Sequence, residues 1–361
     1  MPDPGITKSV GGPQRIVILC AVAWGVDTTR EICRQGIRPA AIVGLHGDAA
    51  DPERVSGWVD IGPIGQQLGV PTHSIDDYSL GNPADRAAIE ALQPDLIVIA
   101  GWQRLVPDWL LNLPVYGVIG SHGSPDGIGA GRGRSPQTWA LLLGCDEFEL
   151  SLFKVTPGID DGPVLASRRF AYLAGDDIET SYARCSLAAA EMLVELVEDP
   201  ARLTAGIPQS GDAFYYPQRQ PQDGWADWSL ESSEISRHAR ALSRPYPGLR
   251  CREPGGALVQ IWRCRPFDDL RGDSVGTVGP CFNSGAFLVQ CGNGRLIVDD
   301  WTSDGAWQPA PGHRLEGRSW ARQLAKILSR HQRKYADLPV SPRITSHYED
   351  SMSKDLSDAI E

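Results

Sequence analysis

One recurring pattern constrains this chain more than any other: a short, almost wholly apolar run, a stretch of helical period, then another apolar run. Arg15–Cys20 (RIVILC), Ala40–Gly47 (AAIVGLHG), Asp95–Trp102 (DLIVIAGW) and Tyr116–His122 (YGVIGSH) are such runs. A strand buried on both faces reads as continuous apolar sequence, whereas a strand with one wet face alternates. Helical stretches lie around Asp27–Gln35, at Ala84–Leu92 and in a short PDWLLNL segment. The alternation predicts βαβ units and an α/β fold built on a mostly parallel, Rossmann-like sheet. Val70–Ile75 supplies a further strand. ELSLFKV and PVLASRRF read as two more after a helix at Ser135–Gly144, and the long amphipathic stretch Ile178–Glu198 closes the unit.

Around Asp199–Asp212 (DPARLTAGIPQSGD) turn residues take over, and a domain boundary is expected near 205. Beyond it, ALVQIWRCRPF, GAFLVQC and GRLIVDDW are short strands with turns between them. They predict a second, smaller β-barrel of OB-like type over 206–320, preceded by a helix in WADWSLESSEISRHARAL. Residues 1–14, rich in Gly and Pro, read as a flexible lead to the α/β domain at 15–205. Residues 321–361 read as a basic helical stretch followed by a mobile tail from Ser341. A length of 361 residues suits two domains.

Composition narrows the function classes. With 34 basic and 45 acidic residues the net charge is −11, which gives no bulk attraction for nucleic acid or an anionic membrane. From Gly211 to Trp320 there are twelve arginines, no lysine and thirteen acidic residues, so the second domain lacks the basic surface of a tRNA clamp. The eight cysteines are scattered singly, with no CxxC pair and no zinc-like spacing, and read as reduced thiols. No metal site is expected. The amino terminus has no apolar leader core, and no run approaches a membrane span, so the expectation is a cytoplasmic protein with no membrane partner.

In an open parallel sheet, ligands gather beyond the carboxyl ends of the strands, near the point where strand order reverses. The strand Tyr116–His122 delivers GSHGSPDGIGAGRGRSP, a loop that starts with a histidine and carries Arg132 and Arg134. Glycines let backbone approach a ligand closely, and the following helix start favours an anion. The two arginines suit a phosphate or carboxylate of a substrate equally with simple pairing to acidic neighbours. GIGAGRG follows the fifth strand rather than the first, which argues against a nicotinamide site. A second segment, PGIDDGPV at Pro157–Val164, is a carboxylate-rich turn. His122 and Asp160 make a general-base pair if they meet; the alternatives are a solvated turn and a structural histidine.

Four ordered blocks carry a resemblance: GWQRLVP (Gly101–Pro107), YGVIGSHGS (Tyr116–Ser124), GRGRSPQTWALLLG (Gly131–Gly144) and PGIDDGPVL (Pro157–Leu165). In these the chain resembles the 10-formyltetrahydrofolate-dependent formyltransferases. In two-domain layout it is similar to the methionyl-tRNA and sugar N-formyltransferases, over roughly residues 15 to 320. FYYPQRQPQDGWADWSL is similar to that family's link into its carboxy-terminal barrel.

The resemblance implies a formyltransferase fold and 10-formyltetrahydrofolate as co-substrate, with no metal. It also implies an Asn–His–Asp constellation, of which His122 and Asp160 match two members. The Asn position is Gly120 here, and the segment after Ser124 is a longer loop than usual. Loss of one oxyanion donor typically costs about 2.7–4 kcal/mol unless another group takes over. By the same resemblance Gln103, Arg104, Leu105, Val106 and Pro107, with Ile159, line the pterin pocket, and Asp161 is either on that pocket's loop or solvent-exposed; by their places in the sequence Ser124, Trp24 after the first strand, and Arg132 and Arg134 unless these only pair with acidic neighbours, border the acceptor.

The expected reaction is formyl transfer to a primary amine of a small metabolite, either an amino sugar on a nucleotide or an amino-acid-like acceptor. The alternatives are methionyl-tRNA formylation and a non-catalytic folate- or nucleotide-binding protein in which Gly120 marks lost turnover. A homodimer through the second domain is expected by analogy.

Overall fold

The computed structural model describes residues 12–50, 55 and 57–358; most of the expected lead, residues 1–11, lies outside them. In chain order the first half comprises β1 (Ile16–Leu19), α1 (Ala23–Arg34), β2 (Ala41–Leu45), α2 (Gly62–Leu68), β3 (Thr72–Ile75), α3 (Pro83–Ala91), β4 (Leu96–Ile99) and α4 (Asp108–Leu111). It continues with β5 (Val118–Ser124), α5 (Gly127–Ala130), β6 (Arg132–Gly133), α6 (Pro136–Leu142), β7 (Glu147–Lys154), β8 (Val164–Ala171) and α7 (Ile178–Glu198). The second half holds β9 (Tyr215–Tyr216), α8 (Ser232–Leu242), β10 (Leu249–Arg252), β11 (Leu258–Asp268), β12 (Val278–Cys281), β13 (Phe287–Cys291), β14 (Gly294–Ser303), α9 (Trp320–Lys334) and α10 (Pro342–Asp358).

The main sheet has seven strands in the order β3-β2-β1-β4-β5-β7-β8. β1 pairs in parallel with both β2 and β4, so Ile18 lies between Ile42 and Val98. This explains why the four apolar runs do not alternate: Val17, Ile18 and Leu19 are all fully buried. The helices between them start where the sequence allows it. Asn82 caps α3 by accepting from Ala84 N–H at 2.9 Å, with Pro83 at the first helical position. Strand order reverses between β1 and β4, which places the crevice of an open α/β sheet beyond the ends of β1, β4 and β5.

The chain packs as two compact units. One gathers the residues up to Gly123, Glu149–Arg169 and Ala183–Ser210; the other gathers Ser124–Phe148, Phe170–Tyr182 and the residues from Gly211 onward. The second unit is built on an antiparallel sheet, β10-β11-β14-β13-β12. Its core joins Ile261, Phe287 and Val289 of that sheet with Leu324 of α9 and with Trp139 of α6, from the first half of the chain. Trp139 is fully buried and donates its indole N–H to Pro217 O at 2.8 Å.

The expected mobile tail is a helix. Over Pro342–Asp358 the polar sequence hides a sparse apolar stripe, Ile344, Tyr348 and Met352, at the four-residue spacing that puts side chains on one helix face. Ile344 is fully buried in the core of the second unit and Tyr348 packs against it. Trp320 at the start of α9 donates its indole N–H to His347 Nε2 at 3.0 Å. Serines and acidic residues between these positions dilute the pattern, so the segment reads as a tail while its buried face holds it in place. Ile344→Ala is expected to lower unfolding free energy by about 2–4 kcal/mol, read from the midpoint of a urea melt; a loss below about 0.5 kcal/mol would contradict the docking of α10.

Candidate active site

β5 ends at the crevice, and its alternation places Gly120 and His122 on the same face. The His122 side chain is nearly covered, at 9% exposure, and its Nδ1 lies 3.3 Å from Asp160 Oδ2 on a carboxylate that is 24% exposed. The two residues that the sequence pairs across 38 positions therefore meet. A carboxylate beside Nδ1 favours the tautomer protonated there, which makes Nε2 the basic nitrogen of the ring.

Asp160 reaches His122 from a strained turn. Its φ is +49°, in the left-handed region that only Gly enters freely, though Asp tolerates it better than most residues. Three local features hold the turn. Gly162 leaves room for Lys154 O, which would stand 1.7 Å from any Cβ built there. Asp161 turns back, accepts from Thr156 Oγ1 and covers Gly158. Gln209 then sends its side-chain N–H groups to both Asp160 O (2.8 Å) and Gly162 O (2.7 Å). It is carried there by mutual hydrogen bonds of 2.8 Å between Ile207 and Val164. Sequence reasoning missed Gln209, which sits in the segment read only as a linker; the PQ after Ile207 is too short a signal to reveal a partner 49 positions away.

The space beside Gly120 is occupied. A Cβ there would stand 2.9 Å from Val155 Cγ2 and 3.1 Å from Phe153 Cζ. The Phe153 ring therefore occupies the space into which an Asn side chain would grow.

After β4, Gln103, Arg104 and Leu105 are exposed, whereas Val106 packs on the core and Pro107 is the N-cap of α4. Tyr78 organises the segment: its hydroxyl accepts from Gln103 N–H at 2.8 Å, and its ring stands edge-on to Trp102 at 4.7 Å and beneath the Arg104 guanidinium at 5.6 Å. The Trp102 indole nitrogen is buried with no protein partner. Leu105, an apolar side chain at 63% exposure, and Ile159 in the Asp160 turn both face solvent. Trp24 lines a cavity of about 10 Å³ with Ala100, Gly120 and Ser121, room for one water and too small for a substrate.

Ser124, Arg132 and Arg134 belong to the second unit. Ser124 is fully buried beneath Gly131, where a Cβ would lie 1.6 Å from its Oγ, so its hydroxyl supports the loop instead of facing a ligand. Arg134 is exposed and Arg132 half-buried. Among the described residues no group of three or more His, Cys, Asp or Glu side chains is placed to hold a metal, and no helix is long and apolar enough to cross a membrane.

Two substitutions test this packing. Gly120→Asn is expected to destabilise by about 1–3 kcal/mol through overpacking. Combined with Phe153→Ala, it is expected to cost less than the sum of the two single changes in denaturant melts; strict additivity would show that the ring does not fill the Gly120 position.

Residues 32–197 match the formyl transferase family, and residues 219–323 match the formyl transferase carboxy-terminal domain. A methionyl-tRNA formyltransferase of Methylococcus capsulatus is 29% identical over 288 residues, 79% of this chain and 90% of that protein. Among solved structures, HypX from Aquifex aeolicus in complex with tetrahydrofolic acid superposes with a TM-score of 0.58 at 18% identity, covering 87% of this chain and 47% of HypX. This chain thus spans about half the length of HypX. An N-formyltransferase from Helicobacter canadensis, in complex with folinic acid and dTDP-3-aminofucose, gives 0.51 at 12% identity, covering 80% of this chain and 99% of that one. The two structures share the fold, while the two matched segments span both halves of the sequence: the chain belongs to the formyl transferase family.

Proposed function

We propose that this protein transfers the formyl group of 10-formyltetrahydrofolate to a primary amine of a small metabolite, an amino sugar carried on a nucleotide before others. The observation that carries this reading is the His122–Asp160 contact at the end of β5, inside the segment that matches the family. The folate complexes of two structures with this fold support the co-substrate. The chain's own surface is in keeping with it: the exposed residues Gln103, Arg104 and Leu105 directly follow Trp102, whose buried indole N–H has no protein partner. A pterin ring offers both an apolar face and hydrogen-bonding edges for such a surface.

When bound, 10-formyltetrahydrofolate supplies a formyl carbon attached to nitrogen, and tetrahydrofolate leaves with a proton on that nitrogen. His122 Nε2 takes the proton that the attacking amine gives up and holds it for return to the departing nitrogen. Asp160 keeps the ring oriented and steadies its cationic form through Nδ1. Without Asn at position 120, charge developing on the formyl oxygen falls to the imidazolium and to backbone N–H groups around Gly120–Gly123.

A small acceptor is favoured over tRNA by the second half of the sequence, whose arginines are offset by an equal weight of carboxylates. The match to a methionyl-tRNA formyltransferase is the observation behind the second reading. Release of tetrahydrofolate, measured with nucleotide-linked amino sugars, amino-acid-like amines and methionyl-tRNA side by side, separates them. The expected result is turnover with a small amine that falls about 100–10,000-fold in His122→Ala and comparably in Asp160→Asn. Turnover only with methionyl-tRNA would replace the acceptor, and folate binding without turnover on any amine would point to a binding protein.

A further inference from the structure

The second unit holds an arrangement that runs past residue 323, where the family match ends. The glycine-rich loop after His122 is tied to residues far downstream. Arg132 N–H donates to Phe214 O (2.9 Å) and Arg134 N–H to Tyr216 O (3.1 Å), so β6 pairs with β9. Tyr215 N–H donates to Pro339 O (2.8 Å) and Ser341 N–H returns to Tyr215 O (3.1 Å), which stitches β9 to the residues just before α10. One residue into α10, Arg343 sends Nε (3.0 Å) and Nη2 (2.5 Å) to Asp126 Oδ1. The Tyr216 hydroxyl donates to Asp126 Oδ2 at 2.6 Å. Asp126 N–H in turn donates to Ser124 Oγ at 3.1 Å.

Asp126 is thus a node with donors on both oxygens, four residues beyond His122 on a continuous stretch of chain. The Arg343 fork is charge-assisted, and bonding to Asp126 raises the guanidinium above its ordinary range. Burial first, then the bond to Asp126, pushes the Tyr216 phenol well up, so it stays a donor at any physiological pH. α10 holds its place through Ile344 and His347, as described above. A loop this rich in glycine loses more conformational entropy on ordering than any other sequence would. Ordering it in advance removes that loss from the binding of a ligand.

We propose that residues 339–358 are an intramolecular brace on the glycine-rich loop, with Arg343 and Tyr216 as positioning residues that act through Asp126 to set how Arg132 and Arg134 meet the acceptor. The part that concerns the acceptor rests on the proposed function; the brace itself does not. The loop carries its own reporter, since trypsin cleaves after Arg132 and Arg134 only when the loop opens.

In the full chain without substrate, Arg343→Ala is expected to raise cleavage at these two sites about tenfold, Tyr216→Phe to raise it less, and Arg343→Lys to restore part of the protection. Fragment masses identify the sites, and an unchanged far-ultraviolet spectrum shows that the variants are folded. Unchanged cleavage in folded Arg343→Ala would overturn the brace. With an active acceptor in hand, Arg343→Ala is expected to raise its KM about tenfold while the dissociation constant for 5-formyltetrahydrofolate stays within about twofold. Faster cleavage with an unchanged acceptor KM would overturn the role in acceptor binding. Absence of any turnover in the unaltered protein contradicts the proposed function and leaves the protease result as the judge of the brace.

Discussion

The contact between His122 Nδ1 and Asp160 Oδ2 depends on a backbone conformation that Asp160 does not prefer. A left-handed aspartate persists only where its surroundings over-determine it. Here Gly162 admits the Lys154 carbonyl, Asp161 folds back on Thr156, and Gln209 grips the carbonyls on either side of the turn. Each of these acts on main-chain geometry, so the carboxylate is aimed by the turn and not by its own contacts. The segment between α7 and the second half of the chain is therefore part of the site. Ile207 pairs with Val164 and brings Gln209 within reach, so a stretch that looks like a connector supports the turn that carries Asp160.

Gly120, where the resemblance implies an Asn, lies on the same face of β5 as His122. Gly120 does not leave a hole: Phe153 and Val155 close over it, and the nearby cavity has room for a single water. Phe153 and Val155 offer no hydrogen bond where an Asn amide would, so position 120 contributes no side-chain donor. In the proposed reaction, oxyanion stabilisation then rests with protonated His122 and backbone N–H groups, a different division of labour from one built on an Asn side chain.

Much of the sheet was legible because burial on both faces leaves a plain signature. The runs Arg15–Cys20, Ala40–Gly47 and Asp95–Trp102 each contain the strand that the apolar stretch announces, and Tyr116–His122 covers all but the last two residues of β5. His122 and Asp160 were legible through the blocks around them. Other features left no such trace. Gln209 acts on backbone carbonyls, an interaction with no side-chain partner to recognise. Phe153 looks like any core aromatic until the missing Cβ of Gly120 gives it a place. The helix Pro342–Asp358 hides one apolar face under serine and aspartate, and its Arg343 finds Asp126 more than two hundred positions away. Trp24 and Ser124 went the other way: position in the sequence suggested ligand contacts, but packing gives one a water-sized cavity and the other a supporting role under Gly131.

Asp160, aimed by its turn, is expected to fix the tautomer of His122. Long-range nitrogen–proton correlation of the His122 ring in protein labelled on histidine nitrogen tests it directly, with Asp160→Ala to assign the signal. The account predicts that neutral His122 carries its proton on Nδ1 in the unaltered protein and loses that preference in Asp160→Ala. A proton on Nε2, or a tautomer mixture indifferent to Asp160, would contradict it.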